Sequence, residues 1–402
     1  MDNDSSFNSF DYTSLNHTHT QSPVALLQWR DFLETHCQMA LSVNRYVTPI
    51  WYVIGLTGNT LSARIWLQRR MCTNNSSAVY LAALSISDLA FLVLHLCMEL
   101  QYAWFLPTLS YPVICEAYFL LYIALQYLSP TLVLGFTVER YIAVCHPFQK
   151  ESLCRTGRAV RVVVAMTIAC FLLSAIQGYF WTYDSELGEC RVRTEATSQE
   201  GTMSLWSAWA WGSETVVFLV IPLIILSFNA LVIRELRSVN RKEATMAKKP
   251  VSGCAATTAM LLSVSFYVIV TSLPATLVYV LEGKFSFSRV EEMLNEKNLN
   301  KSGHRYVVYL TTRSIVEELC LSHYACNFFL YLITGRQFRK SLVRLCSVQR
   351  SLSARKCNDT MRCMNGVQTS SRRQGQNTET DCSHLQQQPK PVLARMCSFI
   401  KM

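Results

Sequence analysis

Charge is scarce in this chain. Only 16% of its 402 residues are Asp, Glu, Lys or Arg while 50% are hydrophobic, a balance that excludes an ordinary water-soluble domain. No catalytic set stands out: His17 and His19 sit near the start, and His95, His304 and His323 are scattered. No Cys or His cluster has metal-ligand spacing, which speaks against a metalloenzyme. Internal repeats, the usual mark of a transporter, are missing as well. Residues 1–45 are polar and lack the basic start and short apolar stretch of a cleavable signal, so the first apolar segment is expected to act as its own uncleaved anchor.

What is abundant is apolar sequence in clumps. Runs lie at 46–67, 78–100, 116–138, 160–181, 207–233, 255–281 and 306–333. Each approaches the ~20 residues a helix needs to cross a ~30 Å hydrocarbon core. The expected fold is an all-α membrane protein, a seven-helix bundle. It divides into an N-terminal segment 1–45, a membrane domain 46–345 and a polar tail 346–402 that reads as disordered. Lys and Arg crowd the segments after spans 1, 3, 5 and 7, as with Arg64, Arg69 and Arg70 or Arg155, Arg158 and Arg161, and are sparser on the other side. The positive-inside rule then puts the N-terminus outside and the tail in the cytoplasm, in contact with the bilayer. The net charge of +10 describes that inner surface and not a nucleic-acid partner.

Most of the 16 cysteines fall inside spans or in the tail, where thiols stay reduced, leaving Cys37, Cys115 and Cys190 outside. Sequons at Asn3 and Asn16 fall on the outer terminus and are candidate glycosylation sites, whereas Asn300 is close to span 7 and Asn358 is on the wrong side.

Polar groups inside the spans are the functional candidates, because a carboxylate at mid-membrane costs several kcal/mol unless it faces protein or water. Asp88 lies half way along span 2, with Asn59, Ser129 and Asn327 at similar depth. Such an oxygen set suits a hard cation such as Na⁺ or, equally, a protonated hydrogen-bonded knot. Pro222 and Pro274 each remove a helical hydrogen bond and kink their spans, as static shape or as hinges.

Taken in order, Gly58-Asn59, "LSISDLA" with Asp88, Cys115 placed 25 residues before Arg140, "ERY" at 139–141, Pro222, Pro274 and "NFFLYLITGRQF" from Asn327 resemble the rhodopsin-like G-protein-coupled receptors. "NFFLY" with "TGRQFR" looks like the invertebrate neuropeptide receptors, those similar to FMRFamide and myosuppressin receptors. The resemblance implies a Cys115–Cys190 disulfide, an allosteric sodium site around Asp88 and coupling to a heterotrimeric G protein. It also implies that Glu139 clasps Arg140 at rest, that Arg140 is freed on activation, and that Tyr141, Asn327 and Tyr331 belong to the coupling machinery. A snorkelling Arg at the interface is the bland alternative for Arg140. The chain departs from the family pattern at several points. Phe328 stands where proline is usual, Ser272 replaces an aromatic rotor, Pro130 replaces an aliphatic residue, and Cys254 replaces an acid that locks the Arg. Without that lock, basal signalling is expected.

The outer half is acidic, with Glu99, Glu116, Glu214, Glu317 and Glu318, and rich in Tyr102, Trp104, Tyr122, Gln126, Trp206 and Trp209. An acidic, aromatic vestibule suits a cationic peptide, although Arg313 and Glu317 are spaced to pair on one helix face. Tyr122 stands where amine receptors carry an aspartate, which argues against a monoamine. After Tyr331 an amphipathic stretch fits a helix on the inner leaflet, followed by Cys346 as a palmitoylation candidate. Ser351, Ser353, Thr369, Ser370 and Ser371 are candidates for receptor kinases and arrestin recruitment, or ordinary linker. The favoured reading is a plasma-membrane receptor for an amidated peptide. The alternatives are a receptor for a small non-peptide or chemosensory ligand, and a transporter.

Overall fold

The computed structural model describes residues 23–73, 75–185, 188–197, 204–245, 252–282 and 301–347. The sequons at Asn3 and Asn16 and the tail serines and threonines lie outside them. Among these residues the apolar runs become seven long helices. They are span 1 (Thr48–Trp66), span 2 (Ser76–Tyr102), span 3 (Ile114–Cys145) and span 4 (Thr156–Ser174). Span 5 is Leu205–Glu214 continued by Ile221–Thr245, span 6 is Ser252–Glu282 and span 7 is Lys301–Thr334. Helices are the expected solution, since a spanning segment must satisfy its own backbone groups. Five of the seven are long and apolar enough to cross a membrane on composition alone. Span 1 is diluted by Thr, Gly, Ser and Asn, and span 7 carries Arg313, Glu317 and Glu318. Both of these helices pack on each other, and span 1 also packs on span 2. Close approach there favours glycine: a Cβ on Gly58 would lie 2.9 Å from Phe328 Cβ, and one on Gly55 would meet Leu92 Cδ1 and lie 3.1 Å from the Ala325 backbone.

The prolines do more than bend helices. A proline frees the carbonyl four residues before it. In span 3 Pro130 frees Gln126, whose carbonyl accepts the Tyr324 hydroxyl of span 7 at 3.4 Å. In span 5 Pro222 follows a π-helical turn, Thr215–Val220, and the freed Phe218 carbonyl accepts the Thr276 hydroxyl of span 6 at 3.2 Å. Pro274 lies inside span 6.

Two features were not legible in the apolar pattern. Part of the N-terminal segment is helical, as α1 (Pro23–His36) and α2 (Gln38–Tyr46). Phe32, Cys37 and Ala40 pack with Tyr306 and Tyr309 of span 7. Arg45 donates to the Ala103 carbonyl at 2.8 Å and lies over the Trp104 and Phe105 rings. Cys37, unassigned in the sequence, is a buried free thiol in this junction, and burial pushes its pKa up to about 12, which makes it inert packing. The loop after span 4 forms a hairpin, β1 (Trp181–Asp184) with β2 (Glu189–Val192), antiparallel with Tyr183 opposite Cys190. Arg191 and Asp184 pair across it at 2.8 Å. Cys190 on β2 is bonded to Cys115 at the start of span 3, with Cα atoms 5.5 Å apart.

The described residues up to Thr334 form one compact unit and those from Gly335 a second. In the second, residues 336–347 are helical, with Phe338 and Leu342 buried on one face and Arg336, Lys340 and Arg344 exposed. Cys346, the acylation candidate, is buried near the end of this helix.

Candidate functional site

At the disulfide end a cavity opens between the spans, with about 1030 Å³ of empty space including its open mouth. All seven residues marked as pocket candidates from sequence line it: Glu99, Tyr122, Gln126, Glu214, Arg313, Glu317 and Glu318. The lining therefore holds four carboxylates and one guanidinium. They are not equivalent. Arg313 donates to Glu317 at 2.8 Å, the pairing that their i, i+4 spacing allowed. Thr48 of span 1 donates to Glu318. Glu99 is 3% exposed and has one oxygen without a hydrogen-bond partner.

Sequence reasoning missed the floor and one wall. Phe91 stacks on Tyr324 at 4.0 Å and lies 5.1 Å from Tyr122, and the His323 ring lies 3.9 Å from that of Tyr324. The hairpin supplies Trp181, which stacks on Phe119 at 3.5 Å. Asn44 of α2 also reaches the cavity. Only the fold brings these together, since their positions follow no local pattern. Glu116 stays out of the cavity, 3.9 Å from Arg193, and Trp104 is exposed under Arg45. Ser272, where a bulky rotor was missing, satisfies itself by donating to the Val268 carbonyl at 2.7 Å. Spans 6 and 7 are tied by Tyr267 and Ser322, 2.7 Å apart, and by Thr271 and His323, 3.4 Å apart.

Midway along the bundle Asp88 is fully buried. Its two oxygens accept from Ser129 at 2.9 Å and from Asn327 at 2.8 Å. Asn59 belongs to the same buried layer but spends its amide on the Tyr324 carbonyl, at 2.7 Å. The side-chain carbonyls of Asn59 and Asn327 are left without donors. Buried oxygens lacking donors, around one carboxylate, fit a small hard cation such as Na⁺. Among the described residues no His, Cys, Asp and Glu group suits a transition metal.

At the opposite end Glu139 is buried and accepts from Ser76 at 2.6 Å and Ser77 at 3.2 Å. Arg140 in turn donates to Ser77. Glu139 and Arg140, expected to meet directly as neighbours, are bridged by Ser77 in the first turn of span 2, whose serines the sequence did not single out. Tyr141 packs against Phe228 of span 5 at 5.1 Å, and Tyr331 is fully buried edge-on to Trp66 at 5.5 Å. The side chain of Cys254 lies outside the described residues.

The arrangement is a cavity at the disulfide end, a buried polar layer and an Arg at the far end, joined by seven helices. Known proteins match it in sequence. The Drosophila melanogaster pyrokinin-1 receptor is 30% identical over 132 residues, 33% of this chain and 30% of that receptor. The human neurotensin receptor type 1 is 31% identical over 127 residues, 31% of this chain and 30% of the receptor. The Drosophila melanogaster FMRFamide receptor is 23% identical over 240 residues, 57% of this chain and 39% of the receptor. The matched part of the chain thus spans about a third of the length of these curated relatives. The family described as 7 transmembrane receptor (rhodopsin family) matches residues 58–331, from Gly58 in span 1 to Tyr331 in span 7. The chain belongs to the rhodopsin family of seven-transmembrane receptors.

Proposed function

We propose that this chain is a plasma-membrane receptor for an extracellular, amidated and cationic neuropeptide, and that it passes ligand binding to a heterotrimeric G protein. The N-terminus faces outside and the tail lies in the cytoplasm, where receptor kinases and arrestin act on it. The observation that carries the reading is the cavity's charge: four carboxylates against one guanidinium, over an aromatic floor. A peptide with a basic side chain and an aromatic neighbour complements both features, by charge-assisted hydrogen bonding and by ring stacking. The relatives named for pyrokinin, neurotensin and FMRFamide support the same ligand class.

Transmission is allosteric. Ligand at the cavity biases the Phe91, Tyr122 and Tyr324 floor, which is linked to the Asp88 layer through the Tyr324 carbonyl held by Asn59. A bound Na⁺ would be held by Asp88, Ser129 and the Asn oxygens and would add a positive charge that favours the closed layer. Release of Arg140 from Ser77 then exposes its guanidinium to the G protein. Calcium and cyclic-nucleotide reporters in transfected cells, read against amidated peptides, amines and lipids, test the ligand class. Responses to peptides are expected. A response to an amine or lipid, with every peptide silent at micromolar dose, overturns it.

A further inference from the structure

Resting on that reading, we propose that the ligand's cationic group is seated between Glu99 of span 2 and Glu318 of span 7, beneath Asn44, so that helix α2 is part of the binding site. The four cavity carboxylates divide by what already satisfies them. Glu317 is neutralised by Arg313 at 2.8 Å and has little left for a ligand. Glu214 stands on span 5. Glu99 and Glu318 are both at least nine-tenths buried, at 3% and 9% exposure, and both line the cavity. Each leaves one carboxylate oxygen without a hydrogen-bond partner, Oε1 of Glu99 and Oε2 of Glu318. The indole N–H of Trp51 lies beside Glu318 and interacts with its carboxylate, so Glu99 is the less satisfied of the two. Glu99 and Glu318 are within electrostatic range of each other. Two buried carboxylates with open oxygens are costly until a cation arrives, and a planar guanidinium satisfies both at once.

The roof of this subsite comes from outside the part of the chain that matches the receptor family, residues 58–331. Asn44 reaches the cavity from α2, and Thr48, at the start of span 1, fixes Glu318 from the same side. Arg45, the next residue along α2, donates to the Ala103 carbonyl and comes within 3.7 Å of Glu34, and its charge also acts on Glu99 from that position. It therefore anchors α2 without filling the subsite. Phe32, Cys37 and Ala40 hold the helix pair on Tyr306 and Tyr309. The cation subsite is a pocket with a built lid, preformed by packing.

The test uses the full chain in lipid nanodiscs and needs no agonist. L-argininamide is titrated against the thermal unfolding of the receptor, with L-citrullinamide, its uncharged counterpart, in parallel. Argininamide should raise the midpoint by about 2–4 °C where citrullinamide does not. Glu99→Gln and Glu318→Gln should each need about tenfold or more argininamide for the same shift, and Glu116→Gln, outside the cavity, none extra. Equal stabilisation of the unaltered receptor by the two amides overturns the proposal even if a variant fails to fold. Undiminished argininamide binding by both Gln variants overturns it as well, and an unchanged midpoint in Asn44→Leu removes α2 from the site. The peptide reading fails separately, through silence in the reporter assay, so the two failures are told apart.

Discussion

The hydroxyl of Tyr324 in span 7 donates to the backbone carbonyl of Gln126 in span 3, 3.4 Å away, and that carbonyl is open because Pro130 offers no N–H to it. A residue that looks like a defect in one helix thus supplies a tie to another. The Tyr324→Phe change should lower stability by about 0.5–1.5 kcal/mol, the usual net value of one hydrogen bond. In a Pro130→Ala background, where the Ala N–H takes back the carbonyl, the same change should cost measurably less. Thermal unfolding of the four proteins of this double-mutant cycle checks the coupling.

Much of the architecture is legible in the sequence, because membrane spans announce themselves by length and apolar composition. The seven pocket candidates converge on one cavity since they share a depth, and depth can be counted along a helix from its end. Azimuth cannot be counted so readily. Phe91 and Tyr324 carry no signal beyond being aromatic in an apolar run, and only the helix packing turns them inward. The serines at 76 and 77 read as an ordinary helix start. Helix α2 is polar, and its docking depends on Arg45 meeting a carbonyl of the loop between spans 2 and 3.

Glu139 is held by two serine hydroxyls, and Ser77 also receives Arg140. Hydrogen bonds to a charged group contribute about 1.5–3 kcal/mol each. Removing both, with Ser76→Ala and Ser77→Ala together, should raise basal signalling about tenfold, and Glu139→Gln should act in the same direction. Reporter activity without ligand, normalised to surface expression, is the readout; a double variant no more active than the parent receptor contradicts the clasp.

The Asp88 layer is proposed to take Na⁺. Replacing Na⁺ by N-methylglucamine should raise the affinity of the activating peptide in the parent receptor, while Asp88→Asn should make that affinity indifferent to the swap. Radioligand displacement in the two salts measures it. Equal sodium sensitivity in Asp88→Asn would exclude this carboxylate as the site.

The Cys115–Cys190 bond closes a separation of 75 residues and fixes β2 over the cavity. Loop-closure entropy assigns it about 4–5 kcal/mol. Cys115→Ser and Cys190→Ser should each reduce surface expression and weaken peptide binding, and the double variant should be no worse than either single one. Flow cytometry with a labelled peptide follows both quantities.

The most direct measurement of the central claim is nucleotide exchange on a heterotrimeric G protein by the receptor in nanodiscs, with and without the peptide that the reporter assay selects. The account predicts peptide-accelerated exchange by the parent receptor, and none by Arg140→Ala despite peptide affinity within about threefold, less than 1.4 kcal/mol, of the parent. Peptide binding at the cavity with no acceleration of exchange, or full acceleration by Arg140→Ala, would contradict it.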